Sequence, residues 1–244
     1  AVPIDVFSEE AINDVSFTDT NDVLKTLVPS YTIGREPISD GATFVRPAAL
    51  RGLSSDKTLV LVNSKRRHRA ALVSIGGSGT QGPDVATIPA SALKTVEILR
   101  DGAAAQYGSD AIAGVINFIL KDSPEGGEIT FQAGQYFEGD GEDLLIAGNL
   151  GLPLGKNGFV NISVEATSAQ PTNRGKQWDE TTSFDVDAYV AANPDKAYLY
   201  GPGGDFDTSN VQLWGQPESE AFRSFVNMGY TLPGGQELYA FANY

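Results

Sequence analysis

Apolar and polar residues alternate with a period of two along much of the chain after Gly126. In the segment FVNISVEAT (159–167), valine and isoleucine at even positions alternate with asparagine, serine and glutamate at odd positions. Similar alternation occurs in EITFQAGQYF (128–137), DLLIAGNLGL (143–152) and FRSFVNMGYTL (222–232). Because successive side chains of a strand point to opposite faces, these segments predict strands of about ten residues with one apolar face. A soluble β-sandwich and a membrane β-barrel both fit this pattern.

The connections between the predicted strands separate these two architectures better than the alternation does. The connections PLGKNG (153–158) and PGG (233–235) are tight, EGDGE (138–142) joins the first strand to the second, and about fifty residues, 169–220, separate the third strand from the fourth. Long and short connections on opposite sides are typical of outer-membrane barrels, and a structureless connection of that length disfavours a compact sandwich. The pattern therefore favours a barrel wall.

Residues 1–123 follow a different, mixed pattern that predicts a compact α+β domain. The segment SEEAIND has a capping serine, Ser8, followed by two glutamates, and TDTNDVLKTLVPS has apolar residues at helical spacing before Pro29. Both segments predict short helices, and a third helical turn is expected around Ala103 to Ala105. Three β-rich segments lie between Gly- and Pro-bearing loops: TLVLVN (58–63), TVEILR (95–100) and VINFILK (115–121).

Composition excludes several classes of function. The 244 residues carry a formal net charge of −14, which disfavours a nucleic-acid partner because phosphate binding needs a positive field. No cysteine is present, and His68 is the only histidine, so neither a thiolate or histidine metal cluster nor a Ser-His-Asp triad can be assembled. The carboxylates of EGDGED and GGDFD lack EF-hand spacing and predict solvated loops, with calcium binding as the alternative. We therefore expect no enzyme activity, cofactor or metal.

One motif suggests a different function, that of a soluble nucleotide-binding enzyme. Gly77, Gly79 and Gly82 have the spacing G-x-G-x-x-G, and Asp101 follows at about the distance of a ribose-binding acid. A dinucleotide fold requires a helix directly after this motif, but Pro89 and the β-branched residues before it disfavour one. The segment is therefore expected to form a loop, and a nucleotide-binding enzyme is the alternative interpretation of the motif.

Two long segments of the first half identify a family resemblance. RGLSSDKTLVLVNSKRR and IPASALKTVEILRDGAAAQYGSDAIAGVINFILK resemble the plug domain of TonB-dependent outer-membrane receptors. Two departures occur in turns, where Asn63-Ser64 replaces the usual Asp-Gly and Asp101-Gly102 replaces Gly-Pro. The residues in register with the family motifs are Arg51-Gly52-Leu53, Ile88-Pro89, Val96-Glu97-Ile98-Leu99-Arg100, Tyr107-Gly108-Ser109, Ala111 and Gly114-Val115-Ile116-Asn117.

The resemblance implies both an architecture and a function. Residues 1–123 would be the plug, and 124–244 about five strands of a barrel of about 22 antiparallel transmembrane strands, with a long outer loop over 169–220. The chain would then be a fragment of an outer-membrane receptor of a Gram-negative bacterium. Such receptors take up scarce nutrients, for example a ferric siderophore, cobalamin or an oligosaccharide, while the plug gates the barrel. A non-transporting adhesion or signalling protein is the alternative.

The same resemblance implies the partners of the protein. TonB would pull on a segment upstream of Ala1, and outer-membrane lipid and the remaining barrel strands would surround the plug. An extracellular small molecule would bind at the outer vestibule.

Two groups of residues are predicted to have specific roles. Lys65 to Arg69 form a dense basic run beside a Gly-rich loop, and this predicts a cationic surface that meets an anionic ligand. The alternative is a solvated turn, or arginines paired with carboxylates. The predicted ligand-binding residues are Arg66, Arg67, His68, Arg69, Ser78, Thr80 and Gln81. By the resemblance, Arg51 and Arg100 would pair with glutamates of the barrel wall beyond Tyr244, the alternative being a surface salt bridge of little energy.

Overall fold

The computed structural model describes residues 4–15, 19–33, 40–74, 79–100, 103–174, 186–199 and 215–244. These residues form two five-stranded sheets, a two-stranded sheet and several short helices. The helices are α1 (Glu9–Asn13), α2 (Thr20–Leu27), α3 (Ala103–Tyr107) and α4 (Val186–Ala192). The strands are β1 (Ile4–Ser8), β2 (Tyr31–Thr32), β3 (Ala49–Leu50), β4 (Thr58–Val62), β5 (Lys65–Arg66), β6 (Leu93–Leu99), β7 (Gly114–Leu120), β8 (Gly127–Gly134), β9 (Asp143–Pro153), β10 (Gly158–Ala169), β11 (Ser219–Thr231) and β12 (Glu237–Asn243).

Helices α1 and α2 begin where the sequence provides a cap. The Ser8 side chain accepts a hydrogen bond from the Ala11 amide, and the Asp19 side chain accepts one from the Asn21 amide at 2.8 Å. Such side-chain acceptors satisfy amides that the first helical turn leaves unpaired. All three helices predicted in the first half are present. None of the helices within the described ranges has the length and apolar character needed to cross a membrane.

The first sheet, with strand order β1-β6-β7-β4-β5, organises the N-terminal unit, which we define as the described residues of 4–120. Strands β4 and β7 run parallel, whereas the other pairs are antiparallel. Every residue of β4 is buried, as expected for an apolar central strand. Gly114 begins β7 with φ +141°, and a Cβ there would lie 2.6 Å from the Leu99 carbonyl oxygen. Only glycine fits this close approach of two backbones.

The second sheet, here called the C-terminal sheet, is antiparallel with strand order β12-β11-β10-β9-β8. Its two faces match the alternation predicted from the sequence. On one face Ile129 and Phe131 are 71% and 74% exposed, and Ile162 pairs with Leu150 and Val226. On the other face, four polar residues are almost completely buried against the N-terminal unit: Asn161, Ser163, Glu165 and Asn227.

The C-terminal sheet contributes directly to the core of the N-terminal unit. Phe225 of β11 is 1% exposed and belongs to the same apolar cluster as Phe118 of β7 and Val96 of β6. Phe241 of β12 packs against this cluster, with its ring centroid 6.3 Å from that of Phe225. The N-terminal unit and this sheet therefore share one hydrophobic core.

The connections distinguish the two ends of the C-terminal sheet. The connections 154–157 and 232–236 lie at one end, and the connections 135–142 and 170–218 lie at the other, which we call the long-loop end. Described parts of the longest connection include α4 and a 3₁₀ turn at Pro194–Leu199.

Candidate functional site

A large cavity lies between the N-terminal unit and the C-terminal sheet at the long-loop end. Its volume is about 1290 Å³, and it is bounded by α2, the segment after the 3₁₀ turn Asp40–Thr43, and the ends of β8 to β11. This space exceeds the range of about 300–1,000 Å³ that is usual for small-molecule sites. Its lining includes Asp19, Asp22, Lys25, Phe44, Arg46, Asp84, Thr87, Tyr136, Asp143, Thr172, Gln216, Glu218, Glu220 and Arg223.

Both arginines among the described lining residues are paired with carboxylates. Arg46 forms an ion pair with Asp19, the residue that caps α2. Arg223 of β11 contacts Glu165, its cross-strand partner on β10, at 3.0 Å. Glu165 is 3% exposed, so this pair is shielded from bulk water. The positive charge of the two arginines is therefore compensated inside the protein.

Asp84 adds a third carboxylate that is held by local hydrogen bonds. Its side chain accepts a hydrogen bond from the Ala86 amide at 3.0 Å. Burial raises the pKa of Asp84, because a charged carboxylate loses hydration, and hydrogen bonds from the Ala86 and Arg46 backbone oppose that rise only in part. No group of three or more histidine or acidic side chains in the described part of the chain is arranged to hold a metal ion.

Two arginines of the basic run, Arg66 and Arg67, contact other parts of the chain. Arg66 forms an ion pair with Asp110 and also donates to the Tyr107 carbonyl. Arg67 donates to the Asn243 side chain of β12 at 2.7 Å and to the Thr87 hydroxyl at 3.2 Å. Burial lowers the pKa of Arg67, since its guanidinium loses water without gaining a carboxylate in hydrogen-bond contact. Arg67 therefore links the N-terminal unit to the C-terminal sheet.

The remaining predicted ligand-binding residues lie on a folded-back loop. The Ala70 amide donates to the Gly82 carbonyl and the Ser74 amide to the Thr80 carbonyl, both at 2.9 Å, which brings the two sides of the loop together. His68 and Arg69 are exposed, and the Gln81 side chain donates to the Ala71 carbonyl at 3.3 Å. Ser78 lies outside the described residues. None of the other six predicted ligand-binding residues lines the cavity.

Arg51 and Arg100 lie next to each other at the edge of the first sheet. The Arg51 guanidinium donates to the Arg100 carbonyl at 3.1 Å, and the Arg100 guanidinium donates to Asp5 of β1 at 2.7 Å. Asp5 pairs with Ile98 on β6, so this ion pair ties the edge strand to its neighbour. Pairing of these arginines with wall glutamates beyond Tyr244 stays a prediction.

Further contacts to the C-terminal sheet involve Asn227, on its polar face, and Lys121, which directly follows β7 and which the sequence did not single out. The side-chain nitrogen of Asn227 donates a hydrogen bond to the Lys121 carbonyl at 2.9 Å. The side-chain oxygen of Asn227 accepts one from the Asn63 side chain at 3.2 Å. Lys121 is 8% exposed and contacts Glu9 of α1 at 2.8 Å, and it also pairs with Glu128 of β8. Lys121 therefore joins α1 to the first strand of the C-terminal sheet.

The glycine motif does not form a dinucleotide site in the described residues. Gly77 and Asp101 lie outside them, but residues 79–100 are described, and there Gly82 is followed by turns and a 3₁₀ turn at Ala90–Ala92. A Cβ at Gly82 would lie 2.8 Å from side-chain atoms of Pro47 and Ser55, so this glycine is required for packing. The helix that would bind a pyrophosphate does not follow Gly82.

Comparison with known proteins identifies the N-terminal unit. Residues 1–115 match the family model described as TonB-dependent receptor plug domain. By this match the N-terminal unit is similar to the plug domain of TonB-dependent receptors, and we refer to it below as the plug. A plug-like α+β unit followed by antiparallel strands confirms the predicted fold class.

Two curated relatives are transporters. The vitamin B12 transporter BtuB of Photobacterium profundum is 26% identical over 243 residues, which cover 94% of this chain and 37% of the relative. BtuB of Vibrio vulnificus is 36% identical over 114 residues, which cover 47% of this chain and 17% of the relative. The chain thus spans little more than a third of the first of these relatives.

Solved structures show the same fold. The ferric enterobactin receptor PfeA of Pseudomonas aeruginosa superposes with a TM-score of 0.68 at 19% identity, covering 100% of this chain and 33% of the receptor chain. The ferric yersiniabactin uptake receptor FyuA of Yersinia pestis gives a TM-score of 0.54 at 16% identity, covering 99% of this chain and 31% of that receptor. These relatives are transporters and receptors rather than enzymes, in agreement with the prediction that the chain is not an enzyme.

Proposed function

We propose that this chain is the plug and first barrel strands of an outer-membrane receptor that takes up a scarce nutrient, such as a ferric siderophore or cobalamin, with energy supplied through TonB. One observation carries the proposal: a TonB-dependent receptor plug domain packs against a sheet whose polar face is buried and whose apolar face is exposed. A barrel wall in lipid around a plug requires this arrangement. Residues 1–123 would form the plug and 124–244 the wall.

The cavity at the long-loop end is the proposed site of ligand entry. In an outer-membrane barrel the longer connections face the cell exterior, so the cavity and the loop that carries His68, Arg69, Thr80 and Gln81 would face the medium. The names of the relatives give two ligand classes for this chain, cobalamin and ferric siderophores. The ligand would rest on the plug and be enclosed by the barrel loops.

The N-terminal strand suggests how a pull on the plug would act. Strand β1 is an edge strand that pairs only with β6 in the first sheet, and the Asp5–Arg100 ion pair adds a side-chain link. A force applied upstream of Ala1 would reach β1 before any other element of the plug. Removal of an edge strand breaks one ladder of hydrogen bonds and leaves the other strand pairs intact. Opening of the plug would therefore begin at β1.

Uptake by cells that express the native protein tests the proposal. We expect accumulation of a labelled nutrient that stops when TonB is deleted, while surface binding of the same nutrient remains. Accumulation that continues without TonB would contradict the energised mechanism. Binding without any accumulation would instead indicate an adhesion or signalling receptor.

A further inference from the structure

The lysine that directly follows β7 contacts two carboxylates from different parts of the molecule. Lys121 contacts Glu9, the first residue of α1, at 2.8 Å, and it also pairs with Glu128 on β8. The Lys121 side chain is 10% exposed, so its charge has little access to water. We infer that Lys121 is a shared anchor: it holds α1 through Glu9 and stays paired with Glu128 when α1 leaves. This inference rests on the proposed function, because it names residues that act when the plug opens.

The backbone of Lys121 is fixed by groups that belong to neither β1 nor α1. Its amide donates to the Ala92 carbonyl at 2.9 Å, within the plug. Its carbonyl accepts from the Asn227 side chain of β11, also at 2.9 Å. Lys121 would therefore stay in place between the plug and the C-terminal sheet while β1 and α1 move away.

Helix α1 is the element that follows β1 along the chain. Ser8 ends β1 and caps α1, so a force that passes through β1 reaches Glu9 next. Ile12 holds α1 in the hydrophobic core, where it is buried, and Glu9 adds the ionic contact with Lys121. For α1 to follow β1, the contact between Glu9 and Lys121 must break.

The second carboxylate lowers the free-energy cost of this break. An ammonium group has three N–H donors, so Lys121 can bind both carboxylates at once. A cation shielded from water is costly when its last carboxylate leaves, and much less costly when a second one remains. Departure of Glu9 also removes the repulsion between two like charges that share one cation. The two glutamates should therefore act in opposite directions: Glu9 retains α1, and Glu128 makes its release easier.

Hydrogen exchange of α1 in the purified native receptor tests this opposition, because backbone amides exchange when a segment opens locally. The Asp14 amide donates to the Glu10 carbonyl at 2.9 Å and reports whether α1 is formed. We expect E9Q to raise the exchange rate in the peptide 4–15, and E128Q to lower it, each by about two- to fivefold for a pair with a partly exposed carboxylate. Mass spectrometry measures both variants against the unmodified receptor. An unchanged or higher rate in E128Q would overturn the inference.

Two further glutamates provide matched controls. E10Q removes a charge from the same first turn of α1, whereas the ion pairs of Lys121 are with Glu9 and Glu128, so it measures the effect of helix charge alone. E9Q should exceed it. E125Q neutralises an exposed glutamate in the segment before β8 and should leave exchange of α1 unchanged. If E125Q slowed exchange as much as E128Q, the effect would come from overall charge, and the shared anchor would be wrong.

Removal of the cation itself gives a second test. Methionine keeps an unbranched apolar stem without the charge, so in the K121M background E128Q should no longer slow exchange of α1. Slowing that persists without the lysine would overturn the inference. If the K121M receptor does not assemble, the opposite signs of E9Q and E128Q still decide. Absence of TonB-dependent uptake, with those opposite signs intact, would contradict the proposed function but leave the role of Lys121 in holding α1 standing.

Discussion

At the residue scale, the turn between β4 and β5 contains a departure from the family motif. Asn63 and Ser64 have φ angles of +46° and +63°, as a two-residue type I′ hairpin turn requires. Asparagine tolerates this conformation, and the Asn63 side chain also accepts from the Leu120 amide at 2.9 Å. Serine tolerates a positive φ less well than asparagine does, so the backbone of Ser64 is strained by the contacts of its Cβ. The family's usual Asp-Gly would form the same turn with less strain.

Ser64→Gly should therefore stabilise the protein. Glycine adopts this conformation without the Cβ penalty, so we expect the free energy of unfolding to rise by about 0.5–1 kcal/mol. Ser64→Ala is the matched control, because it removes the hydroxyl but keeps the Cβ, and it should give no gain. Denaturant unfolding followed by tryptophan fluorescence measures both. A gain in the alanine variant equal to that of glycine would show that the turn is not strained at Ser64.

Asn227 is one of the polar residues that join the plug to the C-terminal sheet. Asn227→Ala would leave the Lys121 carbonyl and the Asn63 amide without their partner inside a buried interface. A buried polar group that loses its partner costs about 1–3 kcal/mol, and we expect a loss of that size in the free energy of unfolding. Asn157→Ala, in an exposed turn, should change it by less than about 0.5 kcal/mol. Similar losses at both positions would contradict the assigned role of Asn227.

At the scale of elements, the sequence predicts individual strands but does not predict which strands become neighbours in the first sheet. The long strands of the C-terminal sheet are neighbours in sequence order, since each is joined to the next by a connection. In the first sheet, by contrast, β1 lies beside β6, and β4 lies parallel to β7. Parallel pairs require a crossover, and a local pattern contains no information on which distant strand becomes the partner.

Neighbouring residues of β8 test the two faces of the C-terminal sheet. Phe131 is opposite the exposed Ile146, whereas Thr130 is opposite Ala147, which is 5% exposed on the plug side. If the exposed face meets lipid, Phe131→Lys should cost about 2–4 kcal/mol near the middle of the bilayer, and Thr130→Lys much less. Folding into lipid vesicles at a series of denaturant concentrations measures both variants. Equal costs would contradict a lipid-facing surface.

At the scale of the whole molecule, the plug is held by two sets of contacts. One set, around Arg51, Arg100 and Asp5, lies within the plug and fastens β1. The other joins the plug to the C-terminal sheet through Asn227, Arg67 and the shared core around Phe225. Release of β1 leaves the second set intact, so the plug would open locally before it separates from the wall.

The double variant Arg51→Ala with Arg100→Ala should loosen the plug in the native receptor. The variant removes the link between Arg51 and the Arg100 carbonyl and leaves Asp5 without its cation. We expect higher sensitivity of cells to large antibiotics, or altered uptake, while binding of the nutrient at the cell surface is retained. Lys94→Ala removes an exposed ion pair with Asp122 and serves as the control. Unchanged impermeability and uptake in the double variant would contradict a gating role for these arginines.

The sequence by itself determined the class of fold and the faces of the long strands. Capping by Ser8, helical spacing before Pro29 and the period of two in β10 are local patterns, and local backbone preferences suffice to express them. The positions of Asn161, Ser163 and Glu165 on a polar face could be read directly from that period. The plug motifs also indicated the family resemblance, because they match over a long continuous stretch of the sequence.

The tertiary structure alone decided which partners the arginines of the basic run contact. In the sequence, Lys65 to Arg69 form the dense basic run of an acidic chain and predict a cationic ligand surface. In the fold, Asp110 lies beside Arg66, and Asn243 lies beside Arg67, although these partners are 44 and 176 residues away. The cavity lining includes carboxylates and cations from α2, β9 and β11, which approach one another only after the plug packs on the sheet, and ligand binding by the basic run stays a prediction. Charge acts through distance in space, so a local pattern cannot show where it is compensated.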